Sequence, residues 1–160
     1  MQLQVAAFSI RTTLAFLLHE GLAAARLYEI IGLSREQLDE PERMVDLSVN
    51  EALLAYGAKQ LNLPDLGLHI GKWGDTGRWG VLGHIVDCSQ SIGQALTLQK
   101  SYQCLMGNVS RPEFVSDAKT STLKWLPHYQ CSHYINEEVV TSWVSFAKKV
   151  LALKLAPNEI

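Results

Sequence analysis

The first part of the chain carries apolar residues at the spacing of an α-helix. In residues 11–31 this pattern is interrupted only at Gly21. Because glycine often ends a helix, the pattern predicts two short helices that meet at Gly21, the second ending at Gly32. The charged stretch that follows predicts a short helix closed by Pro41 and then a connector.

Two serines mark further helix starts. Ser48 with Glu51, and Ser91 with Gln94, have the spacing of capping boxes, in which a side chain at each end of the first turn satisfies a free backbone N–H. They predict one helix that ends before Pro64 and another that ends at Gly107. The segment LGLHIG between these helices is predicted as a short strand or a tight connector.

The last third of the chain changes from strand to helix. Two runs rich in β-formers flank DAK within residues 109–129, which predicts an antiparallel hairpin. A long amphipathic helix follows, with Asn136 as its predicted N-cap. The sum is an α+β fold, in which N-terminal helices precede a small antiparallel sheet packed with two longer helices.

Composition narrows the class of protein. The 160 residues suit a single domain over residues 1–160, and no apolar run is long enough to span a membrane. Three widely spaced cysteines favour a reducing cytoplasm. The net charge of −2 argues against direct binding to DNA, which usually requires a basic surplus.

The glycine-rich segment GDTGRWGVLG is a candidate phosphate loop. A P-loop needs a lysine and a hydroxyl after its last glycine, whereas the only lysine near this segment precedes it. The spacing of a dinucleotide-binding loop is also missing. Tight turns and close packing therefore explain these glycines better than phosphate binding does.

HYQCSH is a candidate metal site. Its His128, Cys131 and His133 are of the residue types that bind zinc, but no second ligand pair at a typical spacing follows or precedes them. The prediction is therefore no metal and no cofactor. A metal or haem sensor that uses these three residues or His84 stays an alternative.

Two other classes of function receive little support. Cys88 or Cys131 could serve as a nucleophile in a small hydrolase, but neither lies in a recognisable motif and no G-x-S-x-G elbow occurs, so we do not expect an enzyme. ARLYEIIGLSREQL has the outline of a helix-turn-helix. Its second helix is acidic, so DNA phosphates would repel it.

Several aromatic residues could line an apolar pocket, with His84 and His128 as polar contacts. Packing in the core is the competing interpretation for each of them. They are Trp73, Trp79, Tyr102, Trp125 and Trp143.

Two blocks of the sequence carry a family resemblance. Residues 32–73 contain a GL…L…P connector, a helix and an acidic residue followed by Gly67, Leu68 and Gly71. Residues 80–106 contain G-x-L-G, a serine and a helix of the form S-x-G-x-A-L…Y…L. The chain resembles the N-terminal arabinose-binding-like domain of AraC-type transcriptional regulators. The signature residues of the second block are Gly80, Gly83, Ser91, Ala95 and Leu96.

The resemblance implies a bacterial ligand-sensing and dimerisation domain. A small-molecule effector would bind near the sheet and the helix that starts at Ser91, and we expect Trp79, His84, Tyr102 and Trp125 to contact it. DNA would be bound only by a separate C-terminal helix-turn-helix domain, which this chain lacks. Because family members continue with further strands, the resemblance also implies a domain truncated at its C-terminus. A ligand-free homodimerisation module stays a further alternative.

Overall fold

The computed structural model describes residues 2–150 apart from residues 75, 76, 78, 79, 81, 82, 85–87, 90, 118 and 119. Within these residues the helices are α1 (Ala7–His19), α2 (Ala24–Ile31), α3 (Arg35–Leu38), α4 (Leu47–Leu61), α5 (Leu66–Trp73), α6 (Ile92–Ser101) and α7 (His133–Val150), with a 3₁₀ turn at Gln103–Leu105. The strands β1 (Gln4–Ala6) and β2 (Met44–Asp46) form one antiparallel pair, and β3 (Ser110–Ser116) and β4 (Ser121–Pro127) form another. The predicted α+β fold is confirmed.

The two helix ends predicted at glycines lie where the sequence indicates. Gly21 and Gly32 both adopt positive φ, of 88° and 68°, a conformation that glycine reaches without a steric penalty. Ser34 then caps α3 in a full capping box with Gln37. The motif that resembles a helix-turn-helix is therefore a helical corner with its own caps. The first helix begins at Ala7, before the predicted start.

The apolar core lies between α1, α2, α4 and α5. Its fully buried side chains come from all four helices and include Ile10, Leu17, Leu27, Leu53, Leu54, Leu66 and Ile70. Each is an apolar residue on the inner face of its helix. The apolar positions that recur at helical spacing in the sequence are therefore the ones that form this core.

The predicted capping box of α4 is wrong. Asp46 is the N-cap, and its carboxylate accepts hydrogen bonds from the Ser48 N–H at 2.9 Å and from the Ser48 hydroxyl. Glu51 instead accepts a hydrogen bond from the Ser132 N–H at 3.0 Å, across the fold. Asp46 and Ser48 are both good capping residues, and the pairing of β2 with β1 places Asp46 at the end of the strand.

LGLHIG is also different from the prediction, because it forms α5 rather than a strand. Gly67 and Gly71 lie one helical turn apart on the face that contacts α7. A Cβ at Gly67 would collide with the Tyr134 carbonyl oxygen, and one at Gly71 would lie 2.7 Å from the Thr141 Cβ. The two glycines thus let the backbones of α5 and α7 approach closely.

The segment after α6 is joined to the N-terminal strand. Ser91 caps α6 as predicted, but the helix ends at Ser101 and a 3₁₀ turn leads to Gly107. The Ala6 N–H donates to the Met106 carbonyl at 3.1 Å. The Asn108 side chain accepts from the Gln4 N–H at 2.7 Å and donates to the Gln2 carbonyl at 3.0 Å. We call this junction of residues 2–6 with residues 106–108 the N-terminal seam.

The hairpin and α7 complete the fold. The β3–β4 pair confirms the predicted hairpin, with Pro112 opposite Trp125. The last helix begins at His133, so Asn136 lies inside it and the predicted N-cap at Asn136 is wrong. The Asn136 side-chain oxygen instead accepts a hydrogen bond from the Trp125 indole N–H at 2.9 Å, which fixes α7 against β4.

Candidate functional site

A cavity of about 100 Å³ lies between the start of α1, the hairpin, the 3₁₀ turn and α7. The core residues Val5, Leu47, Val109 and Ile135 also line it. We call it the hairpin cavity. The described residues that line it include Phe8, Ser9, Thr12, Gln103, Ser110, Trp125, Val139, Ser142 and Trp143.

Two polar atoms at the hairpin cavity are buried without a hydrogen-bond partner among the described residues. They are the side-chain oxygen of Gln103 and the hydroxyl oxygen of Ser110. Ser110 is only 4% exposed. A buried polar atom that is left unpaired costs about 1–3 kcal/mol. Both residues line the same cavity, which makes that cavity the candidate site.

Other polar residues around the hairpin cavity are already paired within the protein. The Thr12 hydroxyl donates to the Phe8 carbonyl at 3.0 Å, and the Asn50 side-chain oxygen accepts from the Thr13 hydroxyl at 3.1 Å. The Ser142 hydroxyl donates to the Glu138 carbonyl. The side-chain oxygens of Gln103 and Ser110 differ from these groups, because they have no such partner among the described residues.

Two tryptophans form the apolar wall of the hairpin cavity. The rings of Trp125 and Trp143 meet edge to face, with centroids 5.9 Å apart. This arrangement is favoured by the aromatic quadrupole. Because Asn136 holds the Trp125 indole, the wall has a fixed position on which a ligand could pack.

Charge is sparse around the hairpin cavity. Glu138 is the one ionisable side chain among the described residues that line it. Glu138 has interactions of its own, so its carboxylate is not an unpaired charge. The lining is therefore mainly apolar with a few hydrogen-bonding groups, which is typical of a small-molecule site.

A larger and more open cleft of about 410 Å³ lies on another face of α1. Phe8 and Thr12 border both this cleft and the hairpin cavity. Arg11 lines the open cleft, but its guanidinium is paired with the Asp39 carboxylate at 3.1 Å. No unpaired buried atom is found at this cleft among the described residues. The hairpin cavity is therefore the better candidate.

Comparison with known families identifies the chain. The family described as the arabinose-binding domain of AraC transcription regulators, N-terminal, matches residues 21–160. The chain belongs to this family. The resemblance seen in the sequence is confirmed, and the arabinose-binding domains form a family of regulatory ligand-binding domains rather than of enzymes. A search of curated proteins returned no match.

The structure shows what the signature residues of this arabinose-binding domain do in the fold. Gly80 has a positive φ of 55°, and a Cβ there would lie 3.6 Å from the Phe8 ring. Gly83 and Ala95 are buried, Leu96 is half-buried and Ser91 caps α6. Gly80 and Gly83 thus have a conformational and a packing role, in agreement with the interpretation that favoured tight turns and packing over a phosphate loop.

The predicted ligand-contact residues are spread over the domain. Trp125 lines the hairpin cavity. Tyr102 is 45% exposed and His84 is also exposed, and neither is among the described residues that line that cavity. Trp79 lies outside the described residues. For these three residues the contact with an effector stays a prediction.

The residues of the alternative metal site have other partners. His128 hydrogen-bonds through Nδ1 to the Asn108 carbonyl at 3.1 Å, and His133 through Nε2 to the Pro64 carbonyl at 3.2 Å. Cys131 is buried, and burial together with the nearby Glu51 raises the pKa of its thiol. Within the described part of the chain, no three His, Cys, Asp or Glu residues are grouped as metal ligands.

Sequence reasoning missed Gln103, Ser110 and Ser142. Serine and glutamine are common surface residues, and neither type signals a binding site on its own. Ser110 precedes the predicted strand run PEFVS, so no pattern along the chain singled it out. No helix of the described residues has the length and apolar character needed to cross a membrane.

Proposed function

We propose that this arabinose-binding domain binds a small-molecule effector in the hairpin cavity and thereby controls an attached DNA-binding domain. The observation that carries the proposal is the pair of buried, unpaired oxygens of Gln103 and Ser110 at one cavity. Trp125 lines the same cavity. We further propose that the domain acts in the cytoplasm, where a transcription regulator meets DNA.

The position of the hairpin cavity suggests how occupancy could be transmitted. Its walls belong to several parts of the chain, among them α1, the 3₁₀ turn, the β3–β4 hairpin and α7. A ligand that contacts these parts favours the arrangement in which they are close together. Binding then shifts the balance between two arrangements by the difference in affinity for each. We propose that α7, which contributes Trp143 and Ser142 to these walls, passes the change to the attached DNA-binding domain.

We also propose that the domain forms a homodimer. Tyr102 and Leu105, next to each other on the turn after α6, are exposed large apolar residues. Grouped apolar surface favours contact with another protein surface. Sedimentation equilibrium of the chain, with Leu105→Lys as the disrupting variant, tests this part independently of any ligand. A wild-type chain that sediments as a monomer at high concentration contradicts it.

The effector site is tested by a matched pair of serine variants. Small molecules are first screened for those that raise the thermal unfolding midpoint of the wild-type chain, since a ligand stabilises the state it binds. Ser110→Ala should keep or raise the midpoint without ligand, because it removes an unpaired buried hydroxyl. It should also lose most of the ligand-induced increase. Ser101→Ala removes a hydroxyl that is paired with the Thr97 carbonyl on exposed surface away from the cavity, and should keep that increase.

Two results contradict the proposed site. If a ligand raises the midpoint of Ser110→Ala as much as that of the wild type, it binds elsewhere. If Ser110→Ala unfolds markedly more easily than the wild type without ligand, the Ser110 hydroxyl already has a stabilising partner and is not waiting for one.

A further inference from the structure

We propose that α6, the 3₁₀ turn and the β3–β4 hairpin form a hinged unit, which swings on the N-terminal seam and is latched to α7 by Trp125 and Asn136. We call residues 92–127 the hairpin unit, and β1, β2, α1–α5 and α7 the core unit. The inference concerns which part of the chain moves. Its link to an effector rests on the proposed function.

The hairpin cavity lies between these two units. The hairpin unit contributes Gln103 and Trp125 to its lining, among others, and the core unit contributes Thr12, Leu47 and Trp143, among others. A movement of one unit against the other therefore changes the width of the cavity. Binding sites are common where two structural units meet, because closure around a ligand then needs movement only at a hinge.

Helix α7 belongs to the core unit because its first turn is attached there. The Ser132 N–H donates to the Glu51 carboxylate of α4 at 3.0 Å, and His133 hydrogen-bonds through Nε2 to the Pro64 carbonyl at 3.2 Å. Ile135 is buried in the apolar core. The two glycines of α5 then let its backbone touch that of α7 along the next turns. Such close packing holds two helices together as one body.

The pivot of the hairpin unit is Asn108. Its N–H donates to the Gln4 carbonyl at 3.1 Å, and its side chain accepts from the Gln4 N–H and donates to the Gln2 carbonyl. Its own carbonyl is hydrogen-bonded to Nδ1 of His128, at the other side of the hairpin base. One residue thus connects β1 to both ends of the hairpin.

The neighbours of Asn108 hold the hairpin base in place. Gly107 has a φ of 124°, and a Cβ there would collide with the Gln4 carbonyl oxygen, so β1 lies directly against this glycine. Val109 is buried in the apolar core, and its carbonyl accepts from the His128 N–H at 2.8 Å. A few residues at the end of an element, often including a small one, are the usual form of a hinge.

The hairpin becomes more exposed with distance from this base. Ser110 and Pro112 are buried near the base, whereas Val115, farther along β3, is 57% exposed. Thr122, which pairs with Val115 from β4, is exposed as well. A strand pair that is anchored at its base and exposed towards its tip is free to swing about the base.

The latch joins β4 to α7 beside the cavity. The Trp125 indole N–H donates to the Asn136 side-chain oxygen at 2.9 Å, and the Trp125 ring meets the Trp143 ring edge to face. One hydrogen bond and one ring pair hold less strongly than the packing of α7 on the core, so the latch opens first. Opening moves Trp125 away from Trp143 and widens the cavity. A molecule that contacts both units favours the latched arrangement, and α7 receives the change through Trp143.

The experiment measures distances between pairs of spin labels in the whole chain, with no small molecule added. Cys88→Ser and Cys104→Ser first remove the exposed thiols. One labelled pair, Lys59→Cys with Thr122→Cys, joins the core unit to the hairpin unit. The control pair, Lys59→Cys with Lys148→Cys, joins α4 to α7 within the core unit. All three labelled positions are exposed. Labelled chain is mixed with excess unlabelled chain, so that only distances within one chain are measured.

With the latch intact, we expect a single distance for each labelled pair. Asn136→Ala removes the acceptor of the latch and should add a second distance for the Lys59–Thr122 pair alone. Trp125→Phe removes the indole N–H, keeps an aromatic ring and should do the same. Asn136→Asp keeps an oxygen acceptor and should restore the single distance.

Two results overturn the hinge. The first is a Lys59–Thr122 distance that stays single in both Asn136→Ala and Trp125→Phe. The second is a new distance for the Lys59–Lys148 control pair, because α7 would then move as well. No small molecule takes part, so failure of the hinge does not contradict the effector site. That site is tested separately by the thermal shift of Ser110→Ala, and its failure does not contradict the hinge.

Discussion

The two sides of helix α1 are packed in different ways. On one side Ile10, Leu14 and Leu17 are buried among apolar residues of α2, α4 and α5. On the other side Phe8, Ser9 and Thr12 face the hairpin cavity. The first side gains stability from close apolar packing, whereas the second leaves polar atoms without partners. Helix α1 thus contributes both to the apolar core and to the lining of the cavity, which core residues such as Val5 and Leu47 also line.

The largest effect is expected in the apolar core. Leu54→Ala removes a fully buried side chain of α4 and should lower the free energy of unfolding by about 2–5 kcal/mol. Leu18→Ala, at a leucine 38% exposed on the outer face of α1, should lower it by less than about 1 kcal/mol. Urea unfolding measures both. Equal losses would show that burial in the apolar core is not the main source of stability.

The contact between α5 and α7 gives the next largest effect. Gly67→Ala places a methyl group against the Tyr134 backbone and should cost about 1–3 kcal/mol. Gly93→Ala is the matched control, because no described atom lies within 4 Å of its added Cβ and alanine favours a helix. It should raise stability slightly. If both variants behave alike in urea unfolding, close backbone approach does not explain the glycine at position 67.

The wall of the hairpin cavity is expected to matter less for stability. Asn136→Ala leaves the Trp125 indole N–H without its acceptor and should cost about 1 kcal/mol. Asn136→Asp keeps an oxygen acceptor and should retain most of that stability. Tryptophan fluorescence followed during unfolding measures both. An aspartate variant as unstable as the alanine variant would contradict the role of the hydrogen bond.

The smallest effect concerns Asp46 at the start of α4. Hydrogen bonds from Ser48 and then Gln2 lower the pKa of the Asp46 carboxyl. A carboxyl with a lowered pKa in the folded state stabilises the fold above its ordinary pKa, and this contribution is lost as the pH falls through the folded-state value. Asp46→Asn should therefore be slightly less stable than the wild type at pH 7, and the difference should vanish in acid. A difference that is independent of pH would exclude the carboxylate as its source.

Local signals in the sequence were sufficient to predict several helix ends. Gly21, Gly32 and Ser91 act through their own backbone or side chain, so their effect on helix ends could be predicted. The α5 helix could not be predicted in this way, because its two glycines lower helix propensity. These glycines are explained only by the close approach of α7. Asn136 likewise has the character of a cap, but its partner is Trp125, which belongs to a separate strand.

The candidate site was less predictable than the fold. Trp125 could be proposed as a pocket residue because aromatic side chains commonly line ligand sites. Ser110 and Gln103 are informative for a different reason, which is that they lack partners among the described residues. The absence of a partner depends on every neighbour in the folded structure, and no pattern along the chain expresses it.

The N-terminal seam has a consequence for the order in which the domain assembles. The Asn108 side chain pairs with the Gln4 backbone across 104 positions of sequence. During synthesis β1 emerges from the ribosome before residues 106–108 and cannot complete its hydrogen bonds until they follow. Contacts between such distant residues are slow to form because a long loop must close first. We therefore expect the helical half to collapse early, and the hairpin cavity, bordered by Val5 and Gly107, to form among the last features of the fold.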